Sequence, residues 1–318
     1  MSSIAENQAY VVKEKKFTLK NIKRDWKVNK QIYFMVLPII VFFIVFAYIP
    51  MTGVLMAFER YSIKGGIFGS DWVGLKNFSD FFHSIYCFRI IKNTLLISFY
   101  DLIFGFPAPI IFALLMNELM NQKFKKVVQT ISYMPYFISM VVICGLIIDF
   151  FSSTGTITSV VAKLGGPRTN LLAVPELFRS IFVSTNIWQG LGFGSIIYMA
   201  ALSGIDQELY EAAALDGASR WKQTLHVTLP GISSTIIMLL ILRIGSLLGV
   251  SFEKIILLYS PATYSTADVI SSYVYRKGLQ EFNYGYSTAV GLFNSVVNFG
   301  LLVISNKISK KYTETSLF

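Results

Sequence analysis

The sequence predicts an all-α integral membrane protein that crosses the bilayer six times, with both termini in the cytoplasm. Three observations carry this fold class. Hydrophobic residues make up 54% of the 318-residue chain and charged residues only 14%, where soluble domains carry about 25% charged residues. The mean hydropathy of +0.57 comes from apolar blocks spread along the whole chain, which indicates one polytopic domain rather than two soluble ones. Lys and Arg gather on alternate connecting segments, the asymmetry that sets membrane topology.

The elements follow in order. Residues 1–31 form a basic arm in which lysines alternate with Phe17, Leu19, Ile22, Trp26 and Val28; it is either a surface segment lying on the anionic inner leaflet or a plain topogenic tail. No small-residue cleavage site follows, so the N-terminus does not read as a cleaved signal. A span needs about 20 apolar residues. Six segments within 32–306 meet this: Ile32–Ala57, Asn93–Met116, Val127–Phe151, Ile181–Leu202, Ile232–Leu258 and Tyr286–Ile304, with residues 307–318 left as a tail. The arm, Lys123, Lys125 and Lys126, Arg220 and Lys222, and Lys307, Lys310 and Lys311 then fall on one side, the cytoplasmic one. Arg89, Arg179 and Arg276 are among the charges assigned to outer loops. The net charge of +10 is accounted for by these flanks, and no basic aromatic module for nucleic acid is present.

The loop 204–231 between the fourth and fifth spans is the most informative segment. Asp206 suits an N-cap, Glu208 sits in the first turn where the helix dipole favours it, and Ala212 to Ala214 favour helix. Gly217 stands where that helix should end in a left-handed residue. Ser219 suits the cap of a second helix that carries Trp221, Leu225 and Leu229 on one stripe, and Pro230 is expected to close it. This predicts a cytoplasmic helix–turn–helix knob that a partner protein grips; the plainer alternative is an amphipathic hairpin resting on its own bundle.

Glu211, Ala212 and Ala213, then Asp216 and Gly217, then Leu229 and Pro230 resemble the EAA loop of permeases in binding-protein-dependent ABC importers. Ser234 stands where many members carry a second proline. The resemblance covers the chain from about Lys30 onward. It implies the type I importer permease (MetI-like) fold in the cytoplasmic membrane of a bacterial cell. It also implies a second permease subunit as partner, two ATPase subunits that bind ATP and Mg in place of this chain, and an extracytoplasmic solute-binding protein. Glu211 would pair with a basic ATPase residue, and Gly217 would shape the hairpin. The outer segment from Asp71 through Trp72 to Phe78 is similar to the first-loop signature of the sugar-importing branch, and the basic arm and chain length to permeases for oligosaccharides and polysaccharide fragments.

Ionisable groups at membrane depth point to function by default. Arg243, with Ser246, Ser251 and Glu253 beyond it, would donate to sugar hydroxyls or else hold the bundle in an internal ion pair. Asp101 and Asp149 either face water or pair with a neighbour. Asn186, Trp188 and Gln189, and Asn294 and Asn298 on one face of the sixth span, suit a sugar's apolar faces and polar rim; amides also bond neighbouring helices together. The close glycines Gly190, Gly192 and Gly194 read as helix packing.

Some chemistries find no support. No phosphate-binding Gly-x-x-x-x-Gly-Lys loop, zinc-protease motif or nucleophile triad occurs. Cys87, Cys144, His83 and His226 lack metal-ligand spacing. The chain therefore reads as a transport subunit without a cofactor of its own, not an enzyme. The alternative is a self-contained secondary transporter driven by an ion gradient, which should show internal repeats and intramembrane acids.

Overall fold

The computed structural model describes Trp26 and residues 28–313, so most of the basic arm and the end of the tail lie outside the described residues. The chain divides into two compact units, Met1–Gly53 and Val54–Phe318.

In the first unit, helix α1 (Lys30–Phe43) runs on through a π-helical turn at Ile44–Tyr48 to Met51. It buries no residue. A helix apolar on every side is built for lipid.

The second unit begins with a two-residue ladder in which β1 (Glu59–Arg60) pairs antiparallel with β2 (Asp71–Trp72). Trp72 stacks on Phe58, with centroids 5.6 Å apart. The Asn77 amide in α2 (Lys76–Phe82) donates to the Ala57 and Glu59 carbonyls at 2.9 and 3.0 Å. The segment from Asp71 to Phe78 is thus fastened to the backbone and ring at residues 57–59.

Helix α3 (Cys87–Tyr100) passes through a π turn at Asp101–Gly105 into α4 (Pro107–Glu118). Three π turns precede a proline in the same way: 44–48 before Pro50, 101–105 before Pro107, and 224–228 before Pro230. Proline has no N–H to donate, and its ring crowds the carbonyl four residues back; a wide turn relieves both faults without ending the helix.

Two expected spans prove to be broken. The hydropathy of Val127–Phe151 predicts one crossing helix. Instead α5 (Gln122–Tyr133) is a polar-faced helix capped by Asn121, whose Oδ1 accepts from the Lys123 and Phe124 amides at 3.1 Å. After a 3-10 turn at Met134–Phe137 the chain is extended at Ile138 and restarts as α6 (Met140–Phe151). Ile232–Leu258 is likewise split into α12 (Ser233–Gly245) and α13 (Phe252–Leu258). The backbone opened between them is partnered by side chains: Asn298 accepts from the Leu248 amide at 3.0 Å, and the Ser98 hydroxyl donates to the Leu247 carbonyl. Irregular backbone at membrane depth is tolerated where protein satisfies it in this way.

The remaining helices are α7 (Thr156–Lys163), α8 (Pro175–Ser203), α9 (Gln207–Leu215), α10 (Arg220–Gln223), α11 (Leu229–Gly231), α14 (Tyr264–Ala267), α15 (Ile270–Tyr275) and α16 (Tyr284–Thr313). The sixth apolar segment does not stop near 304 but continues as helix through Lys307, Lys310 and Lys311, whose charges suit a helix C-terminus. Among the described residues four helices are long and apolar enough to cross a membrane, five if the bent pair at 220–245 counts as one. Helix α8, with 29 residues, is long enough but diluted by its amides and glycines. The largest core cluster joins α6, α8 and α13 around Ile143, Phe178, Phe182 and Ile255.

Candidate functional site

The loop 204–231 folds as the expected two-helix hairpin. The Asp206 side chain accepts from the Glu208 amide at 3.0 Å and caps α9. At the far end, the Ala218 amide donates to the Ala213 carbonyl at 2.9 Å and the Gly217 amide to the Ala214 carbonyl at 3.0 Å, with Gly217 at φ +72°. That pair of bonds around a left-handed glycine is a Schellman motif. Ser219 stands at the N-cap of α10, but its hydroxyl makes no cap bond.

Pro230 does not close the second helix. Leu229 keeps helical angles (φ −63°, ψ −46°), because the π turn at Thr224–Thr228 has already made room for the ring. The chain turns instead at buried Ile232, and the segments on either side are bent by 61°. The same π turn shifts the inward face. Thr228 becomes buried, whereas Trp221 and Leu225 of the expected stripe remain exposed.

One side of the hairpin rests on the bundle. Val227 and Tyr210 pack on a core of Ile110, Tyr198, Leu202, Ile205 and Ile232. The Tyr210 hydroxyl bonds the Thr228 hydroxyl at 3.1 Å, and Arg220 pairs with Glu118 at 3.1 Å. The other side is open: Leu215 is 90% exposed and Trp221 71%. Glu211 is exposed there and has no ion pair among the described residues. The outer face is an apolar ridge beside a free carboxylate, on a stub rooted in α8 and α12.

Those two helices also line a cavity of about 720 Å³. Asn186, Gln189, Gly190 and Gly194 reach it from α8, Arg243 from α12, and Tyr136 from the turn after α5. Arg243 makes an ion pair with Asp101 of the π turn before α4, across the cavity wall. Gly190 faces open space, whereas a side chain at Gly192 would collide with the Ser132 carbonyl of α5. The glycine run therefore divides between cavity and packing.

Trp188, expected beside Gln189, is not among the residues around the cavity. At about 100° per residue it turns off the helix face shared by Asn186, Gln189 and Gly190. Asn298 is engaged with the broken backbone at Leu248. Asn294 borders a separate recess with Tyr275 and Ser271, and its buried Oδ1 has no hydrogen-bond partner among the described residues.

Two buried polar features escaped the sequence reading. Lys254 of α13 is fully buried, with its Nζ 2.7 Å from the Asn186 Oδ1. Asp268 is also fully buried. Arg276 grips it through two hydrogen bonds of 2.7 and 3.3 Å, Arg89 approaches to 3.5 Å, and the Ser272 hydroxyl donates at 2.9 Å. Asn93 joins this cluster to α8 by accepting from Arg179 at 2.8 Å and donating to the Asp268 carbonyl at 3.0 Å. Burial works against the Arg276 charge, but the Asp268 carboxylate outweighs it and raises the guanidinium pKa. Three arginines assigned to outer loops are thus structural ties. The signal available was an aspartate and a lysine at membrane-edge positions, where an unpaired charge is costly.

The sequence profile of the family described as binding-protein-dependent transport system inner membrane component matches residues 105–314. The chain is 43% identical over 298 residues to Protein LplB of Bacillus subtilis, covering 93% of this chain and 92% of LplB. It is 39% identical over 307 residues to the polygalacturonan/rhamnogalacturonan transport system permease protein YteP of the same organism, covering 96% and 94%. It also matches a chain in the crystal structure of a bacterial alginate ABC transporter in complex with an alginate pentasaccharide-bound periplasmic protein. There the TM-score is 0.85 at 45% identity, over 94% of this chain and 99% of that one.

Proposed function

Since the chain belongs to the binding-protein-dependent transport system inner membrane components, we propose that it is the permease subunit of an ATP-driven importer of oligosaccharides. It lies in the cytoplasmic membrane with multiple helical spans, and its role is transport, not catalysis. In this reading the chain crosses six times, with α8 and the broken α12–α13 segment completing the count and both termini inside. A second permease subunit shares the path, an extracytoplasmic solute-binding protein delivers the sugar, and two ATPase subunits bind the ATP and Mg.

The observation that carries the proposal is the hairpin 204–231, rooted in the two helices that line the cavity. An ATPase that seizes the exposed ridge at Leu215 and Trp221 and pairs a basic residue with Glu211 pulls directly on α8 and α12. Asp216, Ala212 and Ala213 give the first helix its shape, Gly217 the turn, and Leu229 and Pro230 the root. Movement at that root changes the walls that carry Asn186, Gln189 and Arg243. These side chains present amide and guanidinium donors to sugar hydroxyls. The Arg243–Asp101 pair serves both readings open in the sequence, since it holds the bundle while facing the path. Relatives named for polygalacturonan and alginate transport support a polysaccharide-fragment substrate.

The test is reconstitution. The chain, a candidate partner permease, ATPase and binding protein are co-expressed, purified and placed in liposomes. ATP hydrolysis should rise with oligosaccharide and binding protein together, and labelled sugar should accumulate inside. A chain that purifies alone, or transports without ATP down an ion gradient, overturns the proposal.

A further inference from the structure

The wall of the cavity holds one ion pair, and a further cation stands behind it. Lys254 is fully buried in α13, its Nζ 2.7 Å from the Asn186 Oδ1 and 5.5 Å from the centroid of the Phe182 ring. Among the described residues it forms no salt bridge with a carboxylate. Buried charges are ordinarily paired, because taking an ammonium out of water is expensive. A lysine kept at this depth with an amide, a ring and the Cys144 thiol beside it, and no carboxylate among the described residues, points to a function.

Asn186 is the link to the cavity, since it lines both the main space and a smaller adjoining recess of about 70 Å³. An ammonium has three donors and no acceptor, so it takes the amide by its oxygen. The Nδ2 donors are thereby turned away from Lys254 and kept free for a ligand. Arg243 and Asp101, the other charged side chains around these two spaces, offset each other as a pair. The balance of the site is positive.

We infer that Lys254 is a positioning and specificity-determining residue that acts through Asn186 to make the cavity select a carboxylate-bearing saccharide, a uronic acid oligomer, over its neutral counterpart. A neutral sugar accepts a hydrogen bond from Asn186 equally well but gains nothing from the charge behind it. The inference rests on the saccharide reading of the cavity given above.

The test measures binding to the purified importer complex in lipid nanodiscs without the binding protein, so that only the membrane site discriminates. The probes are trisaccharides of galacturonate and mannuronate, each with its carboxyl-reduced neutral form. The wild type should prefer the uronates. Lys254→Met, which removes a buried charge at nearly constant length and so should fold, should lower uronate affinity by about 10-fold and that of the neutral sugars, which lose only the fixed orientation of Asn186, several-fold less. Lys254→Arg should keep the preference. If the wild type binds both kinds alike, or Lys254→Met weakens both in parallel or keeps the preference, the inference falls and the saccharide reading stands. If the wild type binds none of the trisaccharides, the saccharide reading falls and takes the inference with it.

Discussion

The hairpin at 204–231 and the cluster around Asp268 are opposite ways of spending charged and polar residues. In the hairpin every decisive bond is local: Asp206 to Glu208, Gly217 to Ala214, Ala218 to Ala213. Its charges are exposed, and Glu211 has no ion pair among the described residues. Around Asp268 the bonds join α3, α8 and the segment from Ser265 to Arg276, and the carboxylate is buried with its partners. The first arrangement keeps its shape without help and leaves its chemistry available to another protein. The second has no chemistry left over and exists to fix distant segments. The difference predicts that stability and coupling separate: mutations in one region should unfold the chain, and mutations in the other should disconnect it.

The largest effect belongs to Asp268. Asp268→Ala leaves Arg276 and Arg89 facing a buried gap without a counter-charge, a change that costs about 3–5 kcal/mol when one partner of a buried pair is removed. The variant should lose most of its yield as a folded protein, with a markedly lower thermal midpoint in detergent. A midpoint indistinguishable from that of the wild type would mean the cluster is not a structural tie.

That contrast also explains what can be read from the sequence. The hairpin is legible because caps, a left-handed glycine and an alanine run act within a few residues of each other. Pro230 is the instructive exception: proline is expected to end the helix, yet a π turn just before it absorbs the ring, as at Pro50 and Pro107. The broken spans are hidden because apolar content in Val127–Tyr133 belongs to one face of a short polar helix, which a hydropathy block does not distinguish from a crossing. Lys254 and Asp268 do not stand out because their partners Asn186, Arg89 and Arg276 lie far away along the chain or in another element. Asn186 itself is conspicuous as an amide in an apolar span, but only the fold shows which side chain holds it.

A smaller effect tests the local side of the comparison. Gly217→Ala places a Cβ on a residue at φ +72°, with no atom within 4 Å to clash with it. The cost is therefore backbone strain alone, about 1 kcal/mol. It should appear as faster amide exchange at Gly217 and Ala218, whose bonds close the turn, with the global midpoint little changed. Gly217→Asn should be milder, since asparagine tolerates the left-handed region. If exchange accelerates equally in α8 and α12, the hairpin is not an independent local fold.

The smallest effect on stability should accompany a large effect on function. Glu211→Lys reverses an exposed charge that has no ion pair among the described residues, so the folded chain should change by no more than about 0.5 kcal/mol. Its helix is held by the Asp206 cap and the turn at Gly217, neither of which involves the Glu211 side chain. In the coupling proposed above, by contrast, the groove of the ATPase would meet a cation in place of the Glu211 carboxylate, and like charges brought together across an interface are strongly disfavoured. The variant should purify with a wild-type thermal midpoint yet recover little ATPase, or recover it with hydrolysis no longer stimulated by the loaded binding protein. Wild-type association and transport in this variant would remove Glu211 from the coupling surface and leave Leu215 and Trp221 to carry it. A lowered midpoint would instead show that the hairpin's charges, like those at Asp268, are committed to the fold.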